Sequence, residues 1–268
     1  MANTSYERHG AAAVLTITRR ERRNAVDATT AAELLDGYSR FVADDEARVL
    51  IVTGEGPEAF CAGADLKAVA QQGAEFSGDD PEAAVTEWLD STPDGPMGFT
   101  RLTSPKPTIA AISGYALAGG LEVALWCDLR IATSTARLGY PERRWGVPLI
   151  DGGTQRLPRV VGMGRALELI LTGRIIEADE ALAWGLVNEV VEEDAHLDRA
   201  LEIAEGLAAF PQPTMLSDRL AAIEGAGMPL DAALEHEAHL GRDSVITGVL
   251  GAARFAGGEG RGGEGAGV

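Results

Sequence analysis

The stretch Ala111-Ile112-Ser113-Gly114-Tyr115-Ala116-Leu117-Ala118-Gly119-Gly120-Leu121-Glu122 decides how this chain is read. A strand runs into glycines, and the glycines open a helix. The first amides of a helix have no internal acceptor and stand at the positive end of its dipole, which suits a developing oxyanion. Glu122 falls in the first turn beside them. Taken alone, the pattern also fits an ordinary helix start with a favourably placed acid.

Upstream lies Phe60-Cys61-Ala62-Gly63-Ala64-Asp65-Leu66-Lys67, after an apolar run at 48–53 and the turn signal Gly54-Glu55-Gly56-Pro57. Small residues there let backbone come close to a ligand. Downstream, Leu138-Gly139-Tyr140-Pro141-Glu142 supplies a second carboxylate. Two carboxylates whose environments push their pKa values apart can divide acid and base roles.

Outward from these segments, the pattern predicts strands at 12–18, 48–53, 107–113 and 129–133, with helices at 28–43 and 118–126. Asp27 is placed to cap the first helix. Beyond residue 152 the pattern is nearly all helical, at 154–160, 165–171, 178–184, 195–209, 213–224 and 230–240. Strands alternating with helices, followed by a helical last third, indicate an α/β layer with a helical appendage. The acidic segment 73–98, with Pro81, Pro93 and Pro96, reads as a mobile excursion holding one short helix near 85–89.

Composition excludes several classes. The formal net charge of −18 argues against a nucleic-acid partner. Arg19, Arg20, Arg22 and Arg23 are the local exception, either a solvated turn or a landing site for a phosphorylated small molecule. Cys61 and Cys127 sit in apolar surroundings and are expected to be buried and reduced. No apolar run reaches the length of a membrane span, and residues 1–10 lack a hydrophobic signal core, so a cytoplasmic protein is expected. His236 and His239 lie three apart with no third ligand, so an exposed helical face is expected and no metal. Gly258-Glu259-Gly260-Arg261-Gly262-Gly263 matches G-x-G-x-x-G only formally, because no strand precedes it and no helix follows. Without a Walker A sequence, a G-x-S-x-G or a usable histidine cluster, acid–base work falls to carboxylates.

The succession F-C-A-G-A-D-L-K, S-G-Y-A-L-A-G-G-L-E, P-E and G-G-T-Q-R-L resembles the enoyl-CoA hydratase/isomerase (crotonase) superfamily from about residue 13 to about 204. The resemblance implies an α/β fold, a crotonase-like spiral of ββα units with a C-terminal helical region. It implies a spiral core at 1–200, a helical trimerisation region at 201–256 and a disordered tail at 257–268, with assembly as a homotrimer or a hexamer built as a dimer of trimers. It implies an acyl-CoA thioester substrate, coenzyme A being part of it, and no separate cofactor. Ala64 and Gly119 then correspond to the two oxyanion amides. Glu122 and Glu142 correspond to the catalytic pair that activates water, with Glu142 delivering the α-proton. Arg22 and Arg23 would face CoA phosphates, and Ala25, Ala62, Asp65, Leu66 and Gly120 would line the CoA path.

Retention of both glutamates favours a trans-2-enoyl-CoA hydratase. Asp151 departs from the usual small residue, and acts either as a third acid, as in a dienoyl-CoA isomerase, or as a cap for the helix at Gly152-Gly153-Thr154. Arg143, Arg144 and Trp145 also depart, and an arginine there would pair with Asp151 or with a carboxylated substrate. Segment 73–98 is expected to be the lid of the acyl pocket. A CoA-binding protein without catalysis is the reading from another class.

Overall fold

The computed structural model describes residues 2–73 and 80–259. Its chain divides after Ala204 into two compact units.

The first unit opens with β1 (Thr4–His9) and β2 (Ala12–Ile17), an antiparallel hairpin turned at Gly10 with φ of +60°. Helix α1 (Ala28–Ala43) follows, and Asp27 caps it as expected by accepting from the Thr30 amide at 2.9 Å. Strand β3 (Val49–Gly54) is buried along its whole length, as a strand inside a parallel sheet must be. Then come β4 (Ala59–Cys61), α2 (Leu66–Gln72) and α3 (Pro81–Ser91). Next are β5 (Thr108–Ile112), β6 (Tyr115–Leu117) and α4 (Gly119–Trp126), followed by β7 (Leu129–Thr133) and β8 (Arg137–Gly139). A 3-10 turn (Pro141–Trp145) leads to α5 (Gly153–Val161) and α6 (Met163–Thr172). Strand β9 (Ile175–Glu177), α7 (Ala178–Trp184), β10 (Glu189–Val191) and α8 (His196–Ala209) complete this part of the chain.

The strands alternate between two sheets. The larger has the order β1-β2-β3-β5-β7-β10, parallel except for the first hairpin, and the smaller β4-β6-β8-β9. Each circuit lays one strand in the large sheet and one in the small sheet before a helix: β3-β4-α2, β5-β6-α4, then β7-β8 and α5. This is the expected ββα spiral. Tyr38, Phe99 and Trp126 pack as an aromatic cluster beneath it, with Phe99 and Trp126 centroids 4.5 Å apart. Trp126 Nε1 donates to the Leu102 carbonyl at 2.7 Å.

Several elements differ from the sequence expectation. Residues 152–204 are not wholly helical, since β9 pairs antiparallel with β8 and β10 parallel with β7. Three-residue strands are too short to show a period, and only their neighbours define them. The short helix expected near 85–89 is α3, capped by Asp80 and started by Pro81, while residues 74–79 lie outside the described residues.

In the second unit, α9 (Gln212–Glu224) and α10 (Leu230–Gly241) pack together and a 3-10 turn (Arg242–Ser244) leads into α11 (Val245–Gly257). The pattern names no separate helix beyond 240, but α11 falls in the helical region expected over 201–256, with the tail expected from 257. Gly257 closes that helix and Gly258 adopts φ +108°, while the rest of the tail, 260–268, lies outside the described residues. Ser244 Oγ donates to the Pro213 carbonyl at 3.0 Å. His239 is exposed, but His236 is half-buried and meets Glu224 at 2.6 Å.

Helix α4 begins hard against β4. A Cβ on Gly120 would stand 2.0 Å from the Cys61 carbonyl oxygen, so β4 and α4 approach to a distance that only glycine allows. Gly120→Ala is expected to cost roughly 1–3 kcal/mol or more. Gly164→Ala, with open space at its Cβ, should be neutral or stabilising by up to about 1 kcal/mol. The midpoints of urea unfolding of the two variants check this difference.

Candidate active site

A cavity of about 660 Å³ lies in the first unit, bounded by α1, α2, the segment 91–98, the start of α4 and the loop 145–151. Its wall is built from two close-set backbone segments. The first follows β4. Val26 N donates to Gly63 O and Asp65 N to Val26 O, both at 2.8 Å, and Ala62 N donates to Arg23 O at 3.0 Å. These bonds leave the Ala64 amide out of the ladder. The Asp65 carboxylate accepts from the Lys67 and Ala68 amides and pairs with Arg19 at 3.1 Å, while Arg19 also holds Asp27 at 2.8 Å.

The second segment is the start of α4. Ala118 precedes it with φ 53° and ψ −127°, a conformation that costs a non-glycine residue of order 1–3 kcal/mol. This turn presents the Gly119 amide, one of the helical donors without an internal partner. A Cβ on Gly63, itself at φ +91°, would lie 3.1 Å from that amide nitrogen. The loops carrying Ala64 and Gly119 are therefore in backbone contact.

Helix α4 is buried on every side from Gly120 to Trp126, which carries Glu122 inside with it at 2% exposure. Glu122 Oε1 accepts from the amides of Asp151 at 3.0 Å and Gly153 at 2.7 Å. Burial nevertheless pushes its carboxyl up to about 7, against those two bonds, and the neighbouring charge of Asp151 adds to the rise. Glu142 sits in the 3-10 turn that Pro141 opens, 5% exposed, and neither carboxylate oxygen has a partner among the described residues. Burial pushes it up to about 7 as well. Burial thus raises both acids from different settings: Glu122 accepts two amides from the entry of α5, whereas Glu142 is opposed only by its own amide and the charge of Arg143.

Asp151, 4% exposed, lines the cavity but does not cap α5, which is one of its two sequence readings. The N-cap of α5 is Gly152, at φ +100°, and no side chain caps it. Asp151 Oδ1 instead accepts from the Met97 amide at 3.0 Å and from the Thr100 hydroxyl, tying the 95–101 segment to the cavity wall. Burial raises its pKa. Arg143 does not pair with it, since its Nε donates to the Ile170 carbonyl at 3.1 Å. The guanidiniums behind Asp151 are Arg101 and Arg156, which donate to the carbonyls of Ile150 and of Asp151 and Thr100.

Of the residues singled out in the sequence, Ala62, Ala64, Asp65, Leu66, Gly119, Glu122, Glu142 and Asp151 share this cavity. Arg22, Arg23, Ala25 and Gly120 lie outside its lining. Arg19 and Arg20 are absorbed in structure, the latter by Glu58 at 2.6 Å, while Arg22 and Arg23 remain exposed, Arg23 over the Tyr115 ring. Cys61 and Cys127 are free and buried as expected, with the Cys61 thiol pushed up to about 12 by burial. Sequence reasoning missed the amides of Met97 and Gly153 and the hydroxyls of Thr100 and Tyr140. Only the glycine pair at 152–153 hinted at a close approach: a Cβ on Gly153 would lie 2.9 Å from Glu122 Oε1 and 2.5 Å from Tyr140 Oη.

Residues 7–241 match the family profile described as Enoyl-CoA hydratase/isomerase. The chain belongs to the enoyl-CoA hydratase/isomerase family. Among curated relatives, the short-chain-enoyl-CoA hydratase of Clostridium acetobutylicum is 38% identical, covering 88% of this chain and 86% of that protein. The (E)-benzylidenesuccinyl-CoA hydratase of Thauera aromatica is 37% identical over 82% of this chain and 81% of its own length. Among solved structures, the enoyl-CoA hydratase EchA1 of Mycobacterium marinum superposes with a TM-score of 0.83 at 33% identity, covering 96% of both chains. The crotonase fold expected from the sequence is thereby established.

The raised glutamates of this family member make a stability prediction. Each binds its proton more tightly folded than at its ordinary value of 4.5, so its contribution is complete below that pH and is lost as pH rises through about 7. Urea midpoints should therefore fall between pH 4.5 and about 7, and Glu122→Gln or Glu142→Gln should flatten the fall. Tyr140 adds a second expectation. Its buried hydroxyl has no hydrogen-bond partner among the described residues, so Tyr140→Phe should leave the thermal midpoint unchanged or raised in a melting curve followed by circular dichroism.

Proposed function

We propose that this protein is an enoyl-CoA hydratase, a hydro-lyase that adds water across the double bond of a trans-2-enoyl-CoA. The observation that carries the reading is the pairing of Glu122 and Glu142, buried on one cavity with opposite hydrogen-bond settings, beside the Ala64 and Gly119 amides.

Glu122, favoured as its anion by two amides, takes a proton from water as the oxygen adds to the β-carbon. The double-bond electrons move to the thioester oxygen, which the two amides receive as an enolate. Glu142, without donors and favoured in its neutral form, gives its proton to the α-carbon. One water is consumed, and proton exchange with solvent resets the pair. Coenzyme A arrives on the substrate, so the reaction needs no separate cofactor. The exposed Arg22 and Arg23 suit the CoA phosphates, with backbone near Ala25, Ala62, Asp65, Leu66 and Gly120 along the CoA path.

Asp151 supports the cavity wall through Met97 and Thr100, which favours hydration by the glutamate pair over isomerisation by a third acid. Self-assembly as a trimer or hexamer is supported by the exposed apolar residues Val245, Ile246, Val249, Leu250 and Phe255 of α11. A cytoplasmic setting is supported by two reduced thiols, and no helix among the described residues is long and apolar enough to cross a membrane.

Crotonyl-CoA mixed with the protein should lose its conjugated-enone absorbance. Glu122→Gln and Glu142→Gln should each lower kcat roughly 10²–10⁴-fold. A bulky residue at Gly119 should do the same by displacing its amide, consistent with roughly 3–4 kcal/mol for an oxyanion donor. No absorbance change with crotonyl-CoA or longer enoyl-CoAs would sink the hydratase reading.

A further inference from the structure

Every titratable side chain that lines the cavity is a carboxylate: Asp27, Asp65, Asp94, Glu122, Glu142 and Asp151. Among the described residues, no lysine or arginine lines it. Arg19 offsets Asp27 and Asp65 at 2.8 and 3.1 Å. Asp94, Glu122, Glu142 and Asp151 form no ion pair among the described residues, although Arg143 acts on Glu142, and Arg101 and Arg156 on Asp151, through their charge. Arg101 and Arg156, the guanidiniums nearest Asp151, stand outside the lining and spend their donors on backbone carbonyls. Arg143 and Arg144 flank two lining residues, Glu142 and Trp145, but do not line the cavity. The remaining wall is largely apolar, with Leu35 of α1, Leu66 and Val69 of α2, and Val147, Leu149 and Ile150 of the loop before α5.

We propose that this cavity rejects acyl groups bearing a free carboxylate and takes uncharged, apolar ones, with Asp94 and Asp151 as the residues that set the discrimination. The proposal rests on the acyl-CoA reading above and names the substrate class of that site. A carboxylate entering here leaves water for a wall that offers apolar surface and like charge, with no cation among the described lining residues to receive it. The two glutamates are needed for water in any hydratase, so they do not distinguish one acyl group from another. Asp94 and Asp151 lie outside that pair. Asp151 is also held rigidly, with Oδ1 fixed by the Met97 amide and the Thr100 hydroxyl, so it cannot swing away from an incoming anion. Its backbone amide donates to Glu122, which places the discriminating charge beside the reacting atoms. The carboxylated substrate considered from Arg143 and Arg144 in the sequence is thereby disfavoured.

The test is a matched pair of saturated thioesters that cannot be hydrated. Hexanoyl-CoA and adipoyl-CoA have the same chain length and differ in a terminal methyl against a carboxylate. Their affinities for the intact protein are measured by isothermal titration calorimetry at pH 8 and low ionic strength. Hexanoyl-CoA is expected to bind roughly 100-fold more tightly. Asp151→Asn keeps an acceptor for Met97 and Thr100 while removing the charge, and Asp94→Asn changes a half-buried residue at the margin. Each is expected to narrow the gap several-fold while retaining hexanoyl-CoA binding, which also reports that the variant is folded. Adipoyl-CoA binding within threefold of hexanoyl-CoA, or a gap that neither variant narrows, overturns the proposal. Because neither ligand turns over, a preserved gap in a protein that fails to hydrate crotonyl-CoA would remove the hydratase reading and leave the charge selection standing.

Discussion

Glu122 Oε1 receives two backbone amides, from Asp151 and Gly153, and through those bonds the separate parts of the cavity become one object. The carboxylate belongs to α4, the amides to the entry of α5, and Asp151 in turn holds the Met97 amide and the Thr100 hydroxyl. Three segments distant in the chain are thus tied together through two acids, Glu122 and Asp151. Burial by itself favours the protonated form of such a carboxylate. With two donors it keeps access to its charged form while burial lifts it into the neutral range, and that balance is what an acid–base group needs.

The same economy governs the backbone around it. Gly120 lets α4 lie against the Cys61 carbonyl, and Gly63 lets the following loop reach the Gly119 amide. Ala118 accepts an unfavourable conformation between them. The loop after β4 is held in turn by Val26 and by the Arg19 ion pairs with Asp27 and Asp65. Two of the four clustered arginines are therefore structural, one bracing the loop after β4 and one holding Glu58. A cluster that reads as one basic feature in the sequence is split by the fold into two braces and two exposed cations.

Three buried acids and an unpartnered tyrosine hydroxyl are costly neighbours, and the surrounding packing sustains them. The large sheet buries mainly Val, Leu, Ile and Ala side chains of β2, β3 and β5, and the aromatic cluster of Tyr38, Phe99 and Trp126 anchors both α4 and the 97–102 segment. Neither carboxylate oxygen of Glu142 has a partner among the described residues, which leaves its proton available to a ligand.

The sequence by itself determined the layered α/β class, the strand-to-helix glycine turns, the two glutamates and the capped first helix. Each of these depends on local pattern: an apolar run, a glycine before a helical period, or a polar cap. The family resemblance followed from the order of those same motifs. What the tertiary structure decided was everything that depends on distant partners. The three-residue strands exist only because a neighbour completes their ladders. Asp151 looked like a cap or a third acid from its neighbours in the chain, yet its side chain answers to Met97 and Thr100, some fifty residues away. The protonation settings of Glu122 and Glu142 were equally out of reach, because a pKa is set by burial and by donors that converge through the fold, and neither is a property of a residue's position in the chain.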